Sequence, residues 1–255
     1  MIKVENIYKS FTKKRVLDGI SLELCPGQTL VIIGSSGVGK SILLKTIIGL
    51  IKPDSGTITI DGTDITKCTS TDLQQTQKKM GYVFQEAALF DSLDIFENVA
   101  FGLRTLANFD ETQIKNRVEK CLAMVGLTNV EHLKPANLSG GMKKRVAIAR
   151  AISYKPSYIL YDEPTTGLDP IMSDAISSLI MSLKKHLNVS SIVVTHDMNS
   201  AYKIADKIIM IYDGKIIFSG TSEEIKRTDN EYVKQFVRGL SSGPIQQTDR
   251  TFEMG

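Results

Sequence analysis

The run Gly34-Ser35-Ser36-Gly37-Val38-Gly39-Lys40-Ser41 fits the pattern G-x-x-x-x-G-K-[ST], with Leu30-Val31-Ile32-Ile33 before it and Ile42-Leu43-Leu44 after it. A strand, a glycine-rich turn and a helix start are the context a phosphate-binding loop requires. The glycines let the backbone curl until successive N–H groups point at a polyphosphate, and the helix N-terminus adds the positive end of its dipole. Lys40 is expected to meet the β- and γ-phosphates as a point charge, with the Ser41 hydroxyl on Mg²⁺.

A later apolar run, Tyr158-Ile159-Leu160-Tyr161, leads into Asp162-Glu163. That places two carboxylates at the carboxyl end of a core strand, the edge where open α/β sheets bind ligands, beside the end of the strand before Gly34. Asp162 is suited to hold Mg²⁺ and Glu163 to polarise a water attacking the γ-phosphate. An Asp-Glu pair after a strand is by itself commonly a helix cap, a reading that weakens sharply beside a phosphate loop. Leu138-Ser139-Gly140-Gly141-Met142 opens a helix rich in cations: Lys143, Lys144, Arg145 and Arg150. Ser139 is a natural N-cap, and the glycines leave first-turn N–H groups approachable by an anion. Taken alone, the segment reads better as a flexible linker into a surface helix.

Positioning these groups takes two textures of chain. Residues 2–60 read as short strands, Ile2 to Ile7, Ile20 to Leu24, Leu30 to Ile33 and Thr57 to Ile60, with turns at Pro26-Gly27, Asp54-Ser55-Gly56 and Asp61-Gly62. Helices are expected over 41–50 and near 72–78, and the strand Tyr82-Val83-Phe84 runs into Gln85. From about 86 to 154 the period becomes helical, with Ile95, Val99 and Leu103 and then Ile114, Val118, Leu122 and Val125 on shared faces. Asp110-Glu111 starts the second of these helices and Gly126 ends it. Strand and helix alternate again through 158–161, 171–187, 191–195, 208–211 and 216–218. This order predicts a P-loop α/β fold, a mainly parallel sheet with helices on both faces, with antiparallel N-terminal strands at its edge or as a subdomain and an inserted helical subdomain.

One domain is expected over 1–240, its core and antiparallel part in about 1–85 and 155–225 and its helical part in about 86–154, followed by a C-terminal extension over 226–255. Polar residues from Ser241, with Gly243-Pro244, read as a flexible tail. Val233, Phe236, Val237 and Leu240 lie at helical spacing between Glu231 and Ile245, a helix packed either on its own domain or on a second subunit.

A net charge of only +3, spread along the chain, gives no nucleic-acid footprint. Cys25, Cys68 and Cys121 include no C-x-x-C and fit reduced cytosolic thiols. There is no apolar signal region at the N-terminus, and no apolar run approaches the roughly 18 residues of a membrane helix. Membrane association is therefore expected to come through a partner.

Six motifs in order, the phosphate loop at 34–41, Gln85, LSGG at 138–141, Asp162-Glu163, Gly167-Leu168-Asp169 and Thr195-His196, resemble an ABC-transporter nucleotide-binding subunit over roughly residues 2–225. The resemblance implies an ATPase with a RecA-like core that binds ATP and Mg²⁺. It implies that Phe11 stacks on adenine, although a core aromatic is the alternative. It further implies that Gln85 touches Mg²⁺ or the attacking water, that His196 contacts the γ-phosphate, and that Gly167-Leu168-Asp169 lies at a dimer interface. Ser139, Gly140 and Gly141 resemble the signature that binds ATP of the opposite subunit. With the phosphate-loop residues Gly34, Ser35, Ser36, Gly37, Val38, Gly39, Lys40 and Ser41, this makes half a site per chain. Met142 departs from the Gln found in much of the superfamily.

Met142 also narrows the match. LSGGM, Phe84-Gln85-Glu86-Ala87-Ala88-Leu89-Phe90, Leu168-Asp169-Pro170-Ile171 and Gln235-Phe236-Val237-Arg238-Gly239 are similar to the ATPase subunit of Mla-type lipid transporters. That similarity implies a homodimer, two integral-membrane permease subunits, an MCE-domain lipid-binding protein and phospholipid cargo, at the cytoplasmic face of a bacterial inner membrane. ATPases of lipoprotein release, amino-acid uptake or cell division are also single short subunits and remain alternatives.

Overall fold

The computed structural model describes residues 1–12, 14–106 and 109–245; the tail expected from Ser241 lies, beyond 245, outside them. The chain opens with β1 (Ile2–Phe11), β2 (Lys14–Leu24), β3 (Thr29–Ile33), α1 (Lys40–Ile47), β4 (Ser55–Ile60), β5 (Thr63–Asp64), α2 (Ser70–Gln77) and β6 (Met80–Val83). Three helices follow: α3 (Ile95–Leu106), α4 (Glu111–Met124) and α5 (Gly140–Ile152). The chain then runs through β7 (Tyr158–Asp162), α6 (Pro170–Leu187), β8 (Ser190–Thr195) and α7 (Met198–Ile204). It closes with β9 (Lys207–Tyr212), β10 (Lys215–Gly220), α8 (Ser222–Arg227) and α9 (Glu231–Arg238).

Apolar runs become strands buried on both faces. β3, β6, β7 and β8 are buried at every position, as strands of a helix-covered parallel sheet must be. The core sheet has the order β10-β9-β3-β8-β7-β6, parallel except for the β9–β10 hairpin. Period-two alternation divides its side chains between two cores. Leu30, Ile32, Leu160, Ile192 and Val194 pack with Leu43 and Leu44 of α1 and with Ile2 and Leu24. Val31, Ile33, Ile159, Tyr161 and Val193 join the core that includes Ile95, Val99, Leu103, Ile114, Val118 and Leu122.

The N-terminal strands make an antiparallel sheet of their own, β2-β1-β4-β5, while the antiparallel edge of the core sheet is β10. β2 also starts at Lys14, earlier than its clean alternation suggests, because register shifts in the β1–β2 ladder interrupt the pattern. A further difference concerns the carboxyl edge of the core sheet. β8 lies between β3 and β7, so the strand ending in Asp162 is not beside the strand before Gly34. α1 packs against both β7 and β8, which carries its first turn toward Asp162.

Helix ends follow local chemistry. α4 has a full capping box, Asp110 with Gln113, and ends before Gly126 at φ 72. α2 starts earlier than expected because Thr69 accepts from the Asp72 N–H. α1 stops at Ile47, ahead of Gly49 at φ 76. α9 ends at Arg238 because Gly239 turns left-handed at φ 63, so the segment to Ile245 does not continue the helix. Val233 is fully buried in the core shared with the helical subdomain, whereas Tyr232 and Leu240 stay exposed. No helix among the described residues is long and apolar enough to cross a membrane.

Candidate functional site

The loop between β3 and α1 keeps its shape through glycine. At Gly34 a Cβ would run into the Ile211 carbonyl, and at Gly39, φ 102, it would lie 2.8 Å from the Val16 carbonyl. Gly39 is the N-cap of α1 and offers no side-chain cap, so the first-turn N–H groups of α1 face the loop uncapped. Beside them lies a cleft of ≈ 520 Å³. Ser36, Gly37, Gly39, Lys40 and Ser41 form one wall. Gln85, Glu163 and His196 line the same cleft, and Phe11 and Val16 flank it. Gly34, Ser35 and Val38 belong to the same loop without lining the cleft. Phe11 is 43% exposed, so it is not a core aromatic.

Glu163 is the hub. Its Oε1 lies 3.5 Å from Lys40 Nζ, and its Oε2 lies 2.8 Å from His196 Nδ1 and accepts from Thr166 Oγ1 at 3.0 Å. Glu163 is buried, whereas half of the His196 side chain is exposed. Lys40 also donates to the carbonyls of Gly34 at 2.7 Å and Ser35 at 3.0 Å. Burial pushes the Lys40 pKa down, against the pull of Glu163 and Asp162.

Asp162 is held at both oxygens: Ser41 Oγ donates to Oδ1 at 2.6 Å and Tyr82 Oη to Oδ2 at 3.0 Å. Burial, followed by the Asp162 charge, raises the Tyr82 pKa, so its hydroxyl stays a donor. Among the described residues no three His, Cys, Asp or Glu side chains converge. One carboxylate and one hydroxyl at the mouth of a phosphate loop suit Mg²⁺, which takes few protein ligands and completes its shell with phosphate and water.

The signature segment lies elsewhere. Ser139 caps α5, accepting from the Met142 N–H at 3.3 Å, and Ser139 and Gly140 are exposed. Among the described residues that line the cleft, Ser139, Gly140 and Gly141 do not appear. Gly140 and Gly141 instead face Leu168 and Met172, and a Cβ at Gly141 would collide with the Met172 methyl. The cations of α5 are largely turned inward. Arg145 donates to Val125 O at 3.0 Å, Arg150 to Ala88 O at 2.6 Å and Ala87 O at 2.7 Å, and Lys144 to Gln85 O. Lys144 and Tyr82 were not among the expected site residues. Four consecutive buried positions in β6 hide which way Tyr82 points, and a basic run at a helix start hides that Lys144 is buried.

The sequence profile of the ABC transporter family matches residues 17–166. The chain belongs to the ABC transporter family. As an ABC cassette it is an ATPase, and it is 41% identical over 245 residues to the intermembrane phospholipid transport system ATP-binding protein MlaF of Haemophilus influenzae, covering 96% of this chain and 93% of that one. It is 37% identical over 252 residues to the probable ribonucleotide transport ATP-binding protein mkl of Mycobacterium tuberculosis, covering 99% of this chain and 70% of that one. Its fold matches the dimeric, post-hydrolysis ADP- and phosphate-bound structure of the ATP-binding cassette MJ0796, with TM-score 0.81 and 32% identity over 87% of this chain and 98% of that one.

Proposed function

We propose that this ABC cassette energises phospholipid transport as a homodimer at the cytoplasmic face of a bacterial inner membrane. One observation carries the dimer: a chain whose cleft holds Lys40, Ser41, Asp162, Glu163 and His196 exposes its Ser139-Gly140 pair away from that cleft. Two chains arranged head to tail set each signature over the other's cleft, so that ATP alone touches both halves and its binding favours closure.

Within the cleft Phe11 stacks on adenine, while the loop N–H groups from Gly34 to Ser41 and the Lys40 ammonium hold the phosphates. Ser41, Asp162 and Gln85 would hold Mg²⁺, which would supply positive charge against the phosphates. Glu163 orients the attacking water and takes up its proton, and His196, hydrogen-bonded to Glu163, meets the γ-phosphate. Loss of the γ-phosphate removes the bridge between chains and lets them part. Gln85, at the root of the helical subdomain, passes that movement to two permease subunits, which work with an MCE-domain lipid carrier. Phospholipid as cargo rests on the 41% identity to MlaF.

The test is Glu163→Gln in the full chain. ATP binding should persist and trap a dimer on size exclusion, while turnover falls about 10³-fold, within the range a positioned general base supplies. Retained turnover removes Glu163 from this role, and an ATP-bound monomer removes the paired arrangement. The 37% identity to mkl supports a second reading, in which the same ATPase serves a ribonucleotide permease. Purifying the tagged chain from its native membrane separates the two: a permease with an MCE protein and bound phospholipid supports lipid transport, and a permease that binds ribonucleotide replaces it.

A further inference from the structure

Lys144 sits in the second turn of α5, yet it is only 7% exposed. Its ammonium donates to the carbonyl of Gln85 and lies 3.5 Å from the carbonyl of Glu163. Those carbonyls follow the ends of β6 and β7, parallel neighbours in register from Met80↔Tyr158 to Val83↔Tyr161. A side chain from the helical subdomain therefore spans the gap where two catalytic-edge strands hand over to loops. Carbonyls only accept, and an ammonium offers three donors with no acceptor, so one Lys can serve both. Desolvation lowers the Lys144 pKa, and the charges of Glu86, Glu163 and Asp162 oppose that shift.

Glu163 needs such a hold. Its φ is +50, an uncommon conformation for a residue with a Cβ, which persists only where the surroundings fix it. Its N–H donates to Val194 O at 3.0 Å, and its own carbonyl takes the Thr166 N–H at 3.3 Å as well as facing Lys144. These contacts set the peptide from which the carboxylate reaches Lys40 and His196. Gln85 stands in a similar case: Ala87 and Ala88 just beyond it are left-handed, φ 62 and 47, and their carbonyls are held by Arg150 of the same helix.

We propose that Lys144 is a positioning residue of the ATPase, fixing the backbone of Gln85 and Glu163 to α5 so that the aim of the Glu163 carboxylate depends on where the signature helix sits. The inference rests on the assignment of Glu163 as the group that orients water. Because α5 also carries Ser139, the contact that one chain makes with its partner's nucleotide is tied mechanically to that chain's own hydrolytic centre. Lys144 would thus link the two sites of a closed dimer.

The test compares Lys144→Met, Lys144→Gln and Lys144→Arg in the full chain, each also in the Glu163→Gln background. Lys144→Met should lower kcat about 10- to 100-fold, the scale of one lost hydrogen bond from a charged donor, with KM for ATP changed less than about twofold. Lys144→Arg, which keeps a charged donor, should recover most of the loss; Lys144→Gln keeps a neutral donor, should fall between, and serves if the Met variant does not fold. In single-turnover assays, adding Lys144→Met to Glu163→Gln should cost no further rate, since the residue acts through Glu163. Wild-type kcat in Lys144→Met, an equal fall in every variant including Arg, or additive losses in the double variant would overturn the proposal. Retained turnover in Glu163→Gln alone would instead overturn the assignment of Glu163 on which it rests.

Discussion

Ser41 and Asp162 meet through a 2.6 Å hydrogen bond in which the serine hydroxyl donates to Oδ1, although 121 residues separate them in the chain. The bond spans from the first turn of α1 to the end of β7, past the intervening β8. With Tyr82 on the second oxygen, both oxygens of Asp162 are held by hydroxyls of this chain. Ser41→Ala should therefore raise the Mg²⁺ concentration for half-maximal ATPase. Tyr82→Phe, which touches only the supporting layer, should raise it about 10-fold, the lower end of what lost outer partners of a metal ligand cost. Titrating turnover against Mg²⁺ at saturating ATP checks both; an unchanged midpoint in Tyr82→Phe would deny the tyrosine any hold on the carboxylate.

Much of this site was legible because its parts are short strings with mechanical requirements. Gly34 to Ser41 demanded a strand and a helix around it, and β3 and α1 are there. The helical texture after residue 86 shows in the spacing of Ile95, Val99 and Leu103, all of them fully buried. What stayed hidden depends on neighbours rather than on period. The insertion of β8 between β3 and β7 is a matter of crossover order, which no local pattern encodes. The inward turn of Lys144 and Arg150 depends on where the loop carbonyls of Gln85, Ala87 and Ala88 come to rest. A cation in a helix reads as surface until an acceptor is found for it.

Phe11 ends β1 at the mouth of the cleft, 43% exposed. An aromatic in this position would meet a base through its face, which every base presents. Phe11→Ala should weaken nucleotide binding about 10-fold, within the range for a lost stacking partner, and should do so about equally for ATP and GTP. Phe11→Tyr should bind like the wild type. Fluorescent-nucleotide titration reads all three, and ATP affinity unaltered in Phe11→Ala would return the residue to a mere surface aromatic.

The C-terminal helices contribute to the chain's own core. Ile225 and Val233 are buried, and the Gln235 side chain accepts from the Ile245 N–H at 2.6 Å and donates to the Ile245 carbonyl at 3.1 Å. Each apolar side chain fully buried is worth about 1.5–3 kcal/mol. Truncation after Gly220 should therefore lower the melting temperature of the isolated monomer. It should also weaken ATP-driven dimerisation of Glu163→Gln if exposed Tyr232 and Leu240 meet a second subunit. Tyr232→Ser with Leu240→Ser separates the two effects, since those changes spare the core and cost within the chain only the Tyr212–Tyr232 ring contact: loss of dimer with a melting temperature lowered far less than by truncation assigns the surface to a partner, and an unchanged dimer assigns the helix to its own domain alone.

Ser139 and Gly140 are exposed, while Gly141 rests against Met172 of α6. If they serve the partner's nucleotide, a negative charge there should leave a chain's own binding intact and defeat closure. Ser139→Glu should bind ATP within about twofold of the wild type, because Lys40, Ser41 and the uncapped turn of α1 are untouched. It should fail to form the ATP-trapped dimer when combined with Glu163→Gln, since a carboxylate facing the γ-phosphate repels it in a site shielded from water. Mixing supplies the sharper measurement. A chain carrying Ser139→Glu paired with one carrying Lys40→Ala brings together one intact cleft and one intact signature. Whether those fall on the same composite site or on different ones follows from the head-to-tail geometry: the intact cleft of the Ser139→Glu chain faces the intact signature of the Lys40→Ala chain. Mixed dimers should therefore recover hydrolysis at one of their two sites while each variant alone stays inactive, and the absence of any recovery in a mixture that forms dimers would mean that each chain completes its own site.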